Sequence, residues 1–235
     1  MNDQTIIQAE NASIGYGNHI LCKGISFEIQ RGDCILLCGP NGSGKTTLLR
    51  TIADGSILDG HGSDRVMVPT GIPKVMGFTL REFVSTSLYR ESSWRGRIGQ
   101  KMETKMDEVL DMLGLSELQG HDISTLSDGE FQKGTIAAAL CRTGENACIL
   151  LDEPSSFLDP ENKAMIFRTL RRIAEDNGTA FVFSTHDVAA ALPSCTAAWA
   201  IGRDGQFRSG RETKFEVISS IFSDKSLIFG NSTEF

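Results

Sequence analysis

Gly39-Pro40-Asn41-Gly42-Ser43-Gly44-Lys45-Thr46-Thr47 is the stretch on which the reading of this chain turns. It follows a short apolar run, Cys34-Ile35-Leu36-Leu37-Cys38, that reads as a buried strand. It leads into Leu48-Leu49-Arg50-Thr51-Ile52-Ala53, which predicts the first turns of a helix. A G-x-x-x-x-G-K-[ST] match acquires meaning only in that strand, loop, helix context. Gly42 and Gly44 can take backbone angles barred to other residues, so successive N–H groups can turn inward, and the helix that follows adds the positive end of its dipole. Such a nest suits polyphosphate. Lys45 would bring its charge to the β- and γ-phosphates, and the Thr46 hydroxyl would be placed to ligate Mg²⁺. A Gly-rich turn carrying a surface lysine is the plainer alternative, and the full pattern arises too seldom by chance to favour it.

Outward from this loop, composition sets the bounds. Of 235 residues, 40% are hydrophobic and 23% charged, which fits one large globular domain or a core with a lobe inserted in it. No apolar run approaches the ~20 residues of a membrane span, and MNDQTIIQAE lacks the basic and apolar regions of a signal peptide, so the expected location is the cytosol. A formal net charge of −7 gives no broad basic surface for a nucleic-acid backbone, and no nucleic-acid partner is expected. Arg90, Arg95, Arg97 and Lys101 form a local basic group that reads as a solvated or partner-facing edge. The six cysteines show neither C-x-x-C spacing nor zinc-type pairing with histidine, so free thiols and no metal are expected there.

Taken in order, residues 5–16 predict a strand ending at Gly15-Tyr16-Gly17, and Ile25, Phe27 and Ile29 alternate with Ser26 and Glu28 as a half-buried strand does. Arg31-Gly32-Asp33 turns the chain into the phosphate-loop strand. Asp54 to Asp64 reads as loop, and Arg65 to Pro69 as a short strand. The character then changes to helices: Thr79 to Leu88, with Thr79 as cap and Glu82 three residues on, and Lys101 to Leu113. Phe131 to Cys141 is a further helix, Cys148 to Leu151 an apolar strand, Pro160 to Asp176 a helix with proline at its first position. Thr179 to Phe183 and Ala197 to Ile201 are the remaining strands, with a short helix near Val188 to Leu192 between them. Strands separated by helices argue for a parallel sheet covered on both faces. The expected division is one domain over 1–235, with a core of 1–73 and 144–235 and a helical lobe over 74–143.

Cys148-Ile149-Leu150-Leu151 ends in Asp152-Glu153, and Thr179 to Phe183 is closed in the same way by Ser184-Thr185-His186-Asp187. In a parallel sheet the carboxyl ends of the strands open onto the ligand crevice, so these groups would arrive beside the phosphate loop. Asp152 suits the Mg²⁺ shell, Glu153 a general base acting on water, and His186 a contact to the γ-phosphate. His19, His61 and His121 have no such company and read as surface or loop residues.

Leu126-Ser127-Asp128-Gly129-Glu130 makes the pattern specific. Together with GPNGSGKT, ILLDEP, Ser155-Ser156-Phe157-Leu158-Asp159 and STHD, in that family's order and over nearly the whole chain, the sequence resembles the ATP-binding subunit of an ABC transporter. The resemblance implies an α/β P-loop NTPase core with a mostly parallel sheet, an antiparallel N-terminal β subdomain and an inserted helical lobe. It further implies an ATPase using ATP and Mg²⁺, peripheral on the inner face of the membrane. The partners it implies are membrane permease subunits, a second copy in a head-to-tail homodimer and, indirectly, a substrate-binding protein. In that homodimer Ser127, Gly129 and Glu130 of one copy complete the site at the other's phosphate loop. A serine and glycine at a helix start agree with this, since they form a second anion-binding end. The resemblance also gives Tyr16 as the aromatic stacked on adenine, Thr47 as a contact to the α-phosphate, and Asp159 as the acid running across the dimer.

Two departures stand out. LSDGE replaces the usual LSGGQ, and Thr70 follows Val68-Pro69 where the family usually has glutamine. Asp128 and Glu130 would set two carboxylates beside the γ-phosphate site, where repulsion has to be offset by Mg²⁺, Lys45 or helix dipoles. Gly77 to Val84 and the basic, aromatic stretch Leu88 to Gly99 are similar to importers of iron-siderophore, haem or cobalamin complexes. The helical lobe common to all ABC proteins is the competing reading of the same residues. A soluble ABC-type ATPase of translation or DNA repair, and a binding-only regulator, are the other classes considered. No N-K-x-D guanine motif is present to suggest a GTPase.

Overall fold

The computed structural model describes residues 4–59, 64–88, 99–144 and 146–221. Arg90, Arg95, Arg97, His61 and the end of the chain beyond 221 lie outside the described residues.

The chain opens with two long strands, β1 (Thr5–Tyr16) and β2 (His19–Gln30), paired antiparallel from Thr5 opposite Gln30 to Tyr16 opposite His19. β2 extends well beyond the alternating Ile25–Ile29 segment, because pairing with β1 recruits His19 to Gly24 although they carry no period of their own. The register shifts between Ala9 and Ala12, where Asn11 takes a left-handed φ of 49° and donates its amide to Ser26 Oγ at 2.9 Å.

The main sheet has six strands in the order β4-β5-β6-β3-β7-β8. β3 (Cys34–Cys38), β4 (Arg65–Val68), β5 (Cys148–Asp152), β6 (Ala180–Ser184) and β7 (Ala197–Ile201) run parallel. β8 (Phe207–Gly210) is an antiparallel edge strand that the sequence pattern does not announce, so the sheet is mostly rather than wholly parallel. Every residue of β3, β5, β6 and β7 is buried, as expected where helices or another sheet cover both faces.

Alternation along those strands divides the interior in two. One set, including Ile35, Leu37, Leu150, Val182 and Trp199, packs on the first hairpin and on α1 (Lys45–Asp54) through Ile14, Ile25, Ile29, Leu48 and Ile52. The other, including Leu36, Ile149, Leu151, Phe181 and Phe183, packs on the remaining helices. These are α2 (Leu80–Thr86), α3 (Gln100–Met112), α4 (Asp128–Arg142), α5 (Pro160–Asn177), α6 (Val188–Ala191) and α7 (Lys214–Ser219). Between β4 and β5 every described regular element is helical. α2 starts at a complete capping box, Thr79 with Glu82, and the Thr79 hydroxyl and amide both donate to the Glu82 carboxylate. All six cysteines are buried and unpaired, and burial pushes the thiols of Cys34, Cys38, Cys141 and Cys148 up to about 12.

Candidate functional site

Topology collects the chemistry at one edge of the sheet. β3 lies between β6 and β7, and β6 lies between β3 and β5, so the carboxyl ends of β3, β6 and β5 stand side by side. Leu37 is level with Ser184, and Ser184 with Asp152. The loop Gly39–Gly44 leaves β3 there and enters α1, with Gly42 at φ 77° and Gly44 at φ 106°, conformations that a side chain would strain. A Cβ on Gly44 would also press on Ile14 Cδ1 at 3.3 Å.

Lys45 Nζ donates to the carbonyls of Gly39 at 2.8 Å and Pro40 at 3.2 Å, so the ammonium lies folded over the loop. Its burial lowers its pKa, and the nearby Glu153 and Asp152 carboxylates oppose that shift. Thr46 Oγ1 donates to Asp152 Oδ2 at 2.8 Å, and Ser184 Oγ donates to Asp152 Oδ1 at 2.7 Å. A hydroxyl and a carboxylate thus share a boundary between the loop and β5, the hard oxygen donors that a small dication takes.

Glu153 sits one residue past the strand at a left-handed φ of 52°, a rare conformation for a residue with a long side chain. Its amide donates to Ser184 Oγ at 3.0 Å, while its Oε1 is buried without a hydrogen-bond partner. His186 Nε2 stands 3.3 Å from that oxygen, and the His186 amide donates to Oε2 at 3.3 Å. Burial raises the Glu153 pKa, and His186 and Lys45 partly offset the rise. The result is a carboxylate held at a strand end with Oε1 in no hydrogen bond, its neighbour an imidazole at 3.3 Å whose side chain is 59% exposed.

The loop faces an open cleft of about 780 Å³, also lined by His186, Gly202, Arg203 and His19. His19 is therefore not an isolated surface residue: it opens β2 beside the phosphate loop. Arg203, just past β7, is a cation at the same mouth that no motif marks. Tyr16, with its ring exposed, is hydrogen-bonded through its hydroxyl to Thr47 Oγ1 at the start of α1. Thr70 donates its hydroxyl to the Asp152 carbonyl, so the loop after β4 is tied to the end of β5 by a short side chain.

The remaining candidates stand on α4 and α5. Ser127 caps α4 and accepts from the Glu130 amide, while its own amide and hydroxyl donate to Glu130 Oε2 at 2.8 and 2.7 Å. These bonds pull the Glu130 carboxyl below its usual range. They also turn Glu130 back onto the cap, so the two signature carboxylates do not stand free together: Glu130 is on Ser127, and Asp128 is paired with Lys74 at 2.7 Å. A Cβ on Gly129 would come within 2.5 Å of Leu158 Cδ2, so a side chain there requires the end of Leu158 to move aside. Asp159 caps α5, accepting from the Asn162 amide at 2.9 Å and side chain at 2.7 Å. Ser127, Gly129 and Asp159 therefore each have a local role within one chain beside any role at a second copy.

A mostly parallel sheet with a glycine loop on its central strand and carboxylates on the neighbouring strand ends is the nucleotide-hydrolase arrangement. Residues 22–156 match the model of the family described as ABC transporter, and the chain belongs to that family as an ATP-binding cassette. An uncharacterized ABC transporter ATP-binding protein of Methanocaldococcus jannaschii is 32% identical over 204 residues, covering 80% of this chain and 70% of that protein. The iron(3+)-hydroxamate import ATP-binding protein of Bacillus subtilis is 28% identical over 199 residues, covering 77% and 73%. Proteins named for zinc import in Wolbachia and for phosphate import in Natronomonas pharaonis are 26% and 33% identical, so similarity does not separate one cargo class from another. In fold, the chain is similar to a metal-chelate type ABC transporter in an inward-facing conformation, with a TM-score of 0.79 at 23% identity, covering 93% of this chain and 89% of that one. Cassettes of this family bind ATP, and the homologues are ATPases that power transport.

Proposed function

We propose that the chain is the ATP-hydrolysing subunit of an ABC importer. It works as a head-to-tail homodimer with each nucleotide held between the phosphate loop of one copy and the Ser127 segment of the other. The convergence of Lys45, Thr46, Asp152 and Glu153 at adjacent strand ends, with Glu153 Oε1 left without a hydrogen-bond partner, carries this reading. The loop from Gly39 to Gly44, through its backbone N–H groups at every position but Pro40, and the Lys45 ammonium bind the β- and γ-phosphates. Thr46 and Asp152 hold Mg²⁺, which supplies charge neutralisation at the phosphates. Glu153 orients and deprotonates the attacking water, and His186 meets the γ-phosphate. Tyr16 stacks on adenine, worth about 1 to 3 kcal/mol by analogy with nucleobase stacking, and its partner Thr47 meets the α-phosphate. Ser127 and Gly129 complete the site from the second copy, with Glu130 acting by holding the Ser127 cap, and Asp159 runs between the two sites.

The chain reaches the membrane through a permease, as cassettes of this family do, and no helix among the described residues is long and apolar enough to cross a bilayer. Val75, Met76 and Phe78, exposed together between β4 and α2, supply an apolar surface of the kind a protein partner covers. It is thus peripheral on the cytoplasmic face, with a substrate-binding protein acting through the permease. An iron-siderophore, haem or cobalamin-type complex is the cargo class proposed, in keeping with the name of the Bacillus relative. The test is sedimentation of Glu153→Gln with ATP and Mg²⁺. A nucleotide-dependent dimer with turnover reduced about 10²- to 10⁴-fold is expected. Full turnover, or a monomer saturated with ATP, would overturn the assignment.

A further inference from the structure

Two acids occupy the first turn of α4, the end that the two-subunit reading gives to the partner's triphosphate. A helix amino terminus stabilises carboxylates for the same reason that it binds phosphate, so each acid competes with the ligand. Glu130 is withdrawn into the cap on Ser127. Asp128 has no such intrahelical partner, and its side chain is 66% exposed.

Its charge is met from another part of the chain. Lys74 Nζ lies 2.7 Å from Asp128 Oδ1, donates to the Leu126 carbonyl at 2.6 Å, and stands over the Phe131 ring at 5.8 Å. Carbonyl, carboxylate and aromatic face thus surround one ammonium, whose side chain is only 23% exposed. An incidental surface pair has no such cradle. Thr70, in the same connection between β4 and α2, is fixed to the end of β5 through the Asp152 carbonyl, so the segment spans from the Asp152 strand to the start of α4.

We propose that Lys74 is a positioning and neutralising residue, which cancels the Asp128 charge so that the start of α4 can accept the triphosphate held by a second copy. This rests on the two-subunit reading above. Asp128 and Lys74 then form a matched pair: the acid is tolerable in the signature because the cation is held against it.

The test measures the dissociation constant of the ATP-dependent dimer by analytical ultracentrifugation in the Glu153→Gln background, with nucleotide-free melting of each variant alongside. Lys74→Gln keeps a donor for the Leu126 carbonyl but removes the charge. It is expected to weaken the dimer about tenfold, with part of the loss recovered at higher salt as repulsion is screened. Lys74→Arg should hold the parent value. Asp128→Gly in the Lys74→Gln protein should restore the dimer. Equal weakening with and without Asp128, or an unchanged dimer in Lys74→Gln, would overturn the pairing while leaving the two-subunit reading intact. A parent that stays monomeric with ATP and Mg²⁺ would remove both.

Discussion

Glu153→Gln should change stability as well as turnover, and the two effects separate by pH. The Glu153 side chain is 18% exposed, its Oε1 lacks a hydrogen-bond partner, and burial raises its pKa above the ordinary 4.5. A folded-state pKa above the unfolded value means that the group's contribution is fully present below about pH 4.5 and is lost as pH rises through the folded value. Above that point the fold carries an ionised carboxylate in a poor environment. The isosteric amide carries no charge and escapes that cost. A buried polar group without a partner costs about 1–3 kcal/mol, and nearby His186 and Lys45 reduce it, so about 1 kcal/mol is the expected gain at pH 8. For a chain of this size that is roughly 2–4 °C in Tm. Melting both proteins without nucleotide at pH 5 and pH 8 provides the assay. The advantage of Glu153→Gln should be larger at pH 8, and the acid limb of ATPase activity in the unmodified protein should lie above the ordinary carboxylate range. An advantage that is absent, or larger at pH 5, would refute the view that desolvation governs this carboxylate.

Lys45→Ala should weaken ATP binding by more than about a hundredfold in a fluorescent-nucleotide titration, because a charge-assisted contact to two phosphates is lost; unaltered affinity would count against the loop. Asp33, 3% exposed, accepts two bonds from Arg211 at 2.6 and 2.8 Å, one from Thr196 at 2.8 Å and one from the Gln30 amide at 2.7 Å. Asp33→Ala should cost about 3 kcal/mol in urea unfolding, the low end for a broken buried pair because Arg211 can reach water; a loss near zero would show that the network adds nothing. Gly129→Ala drives a Cβ against Leu158 and should cost about 1–2 kcal/mol, and less in a Leu158→Ala background; equal cost in both would mean that the contact is not what excludes the side chain.

The parts of this fold legible in the sequence are those whose cause is local. β3, β5, β6 and β7 read as continuous apolar runs because both faces are covered, and the start of α2 reads from Thr79 and Glu82 because a capping box lies within four consecutive residues. The strand ends that carry Asp152, Glu153 and His186 follow from the same runs, since a parallel sheet brings its carboxyl ends together. What escaped reading depends on distant partners. His19 to Gly24 extends β2 only because β1 lies alongside, and Phe207 to Gly210 becomes an edge strand only because β7 offers its free side. The Lys74–Asp128 pair joins residues far apart in sequence, and the occupation of Ser127 by Glu130 follows a capping pattern that the signature motif conceals. The left-handed backbone at Glu153 has no signal in residue type at all.

The six buried cysteines give the molecule a built-in gauge of opening. Thiolate is the form that attacks a thiol reagent, and groups pushed up to about 12 hold on the order of 10⁻⁴ of it at pH 8 even before access is considered. In the intact fold the reagent should stay nearly colourless. Each thiol that reacts then dates the release of a particular layer: Cys22 the hairpin, Cys34, Cys38 and Cys148 the sheet, Cys141 the end of α4 and Cys195 the turn before β7. A cysteine placed on the surface would be read against a silent background.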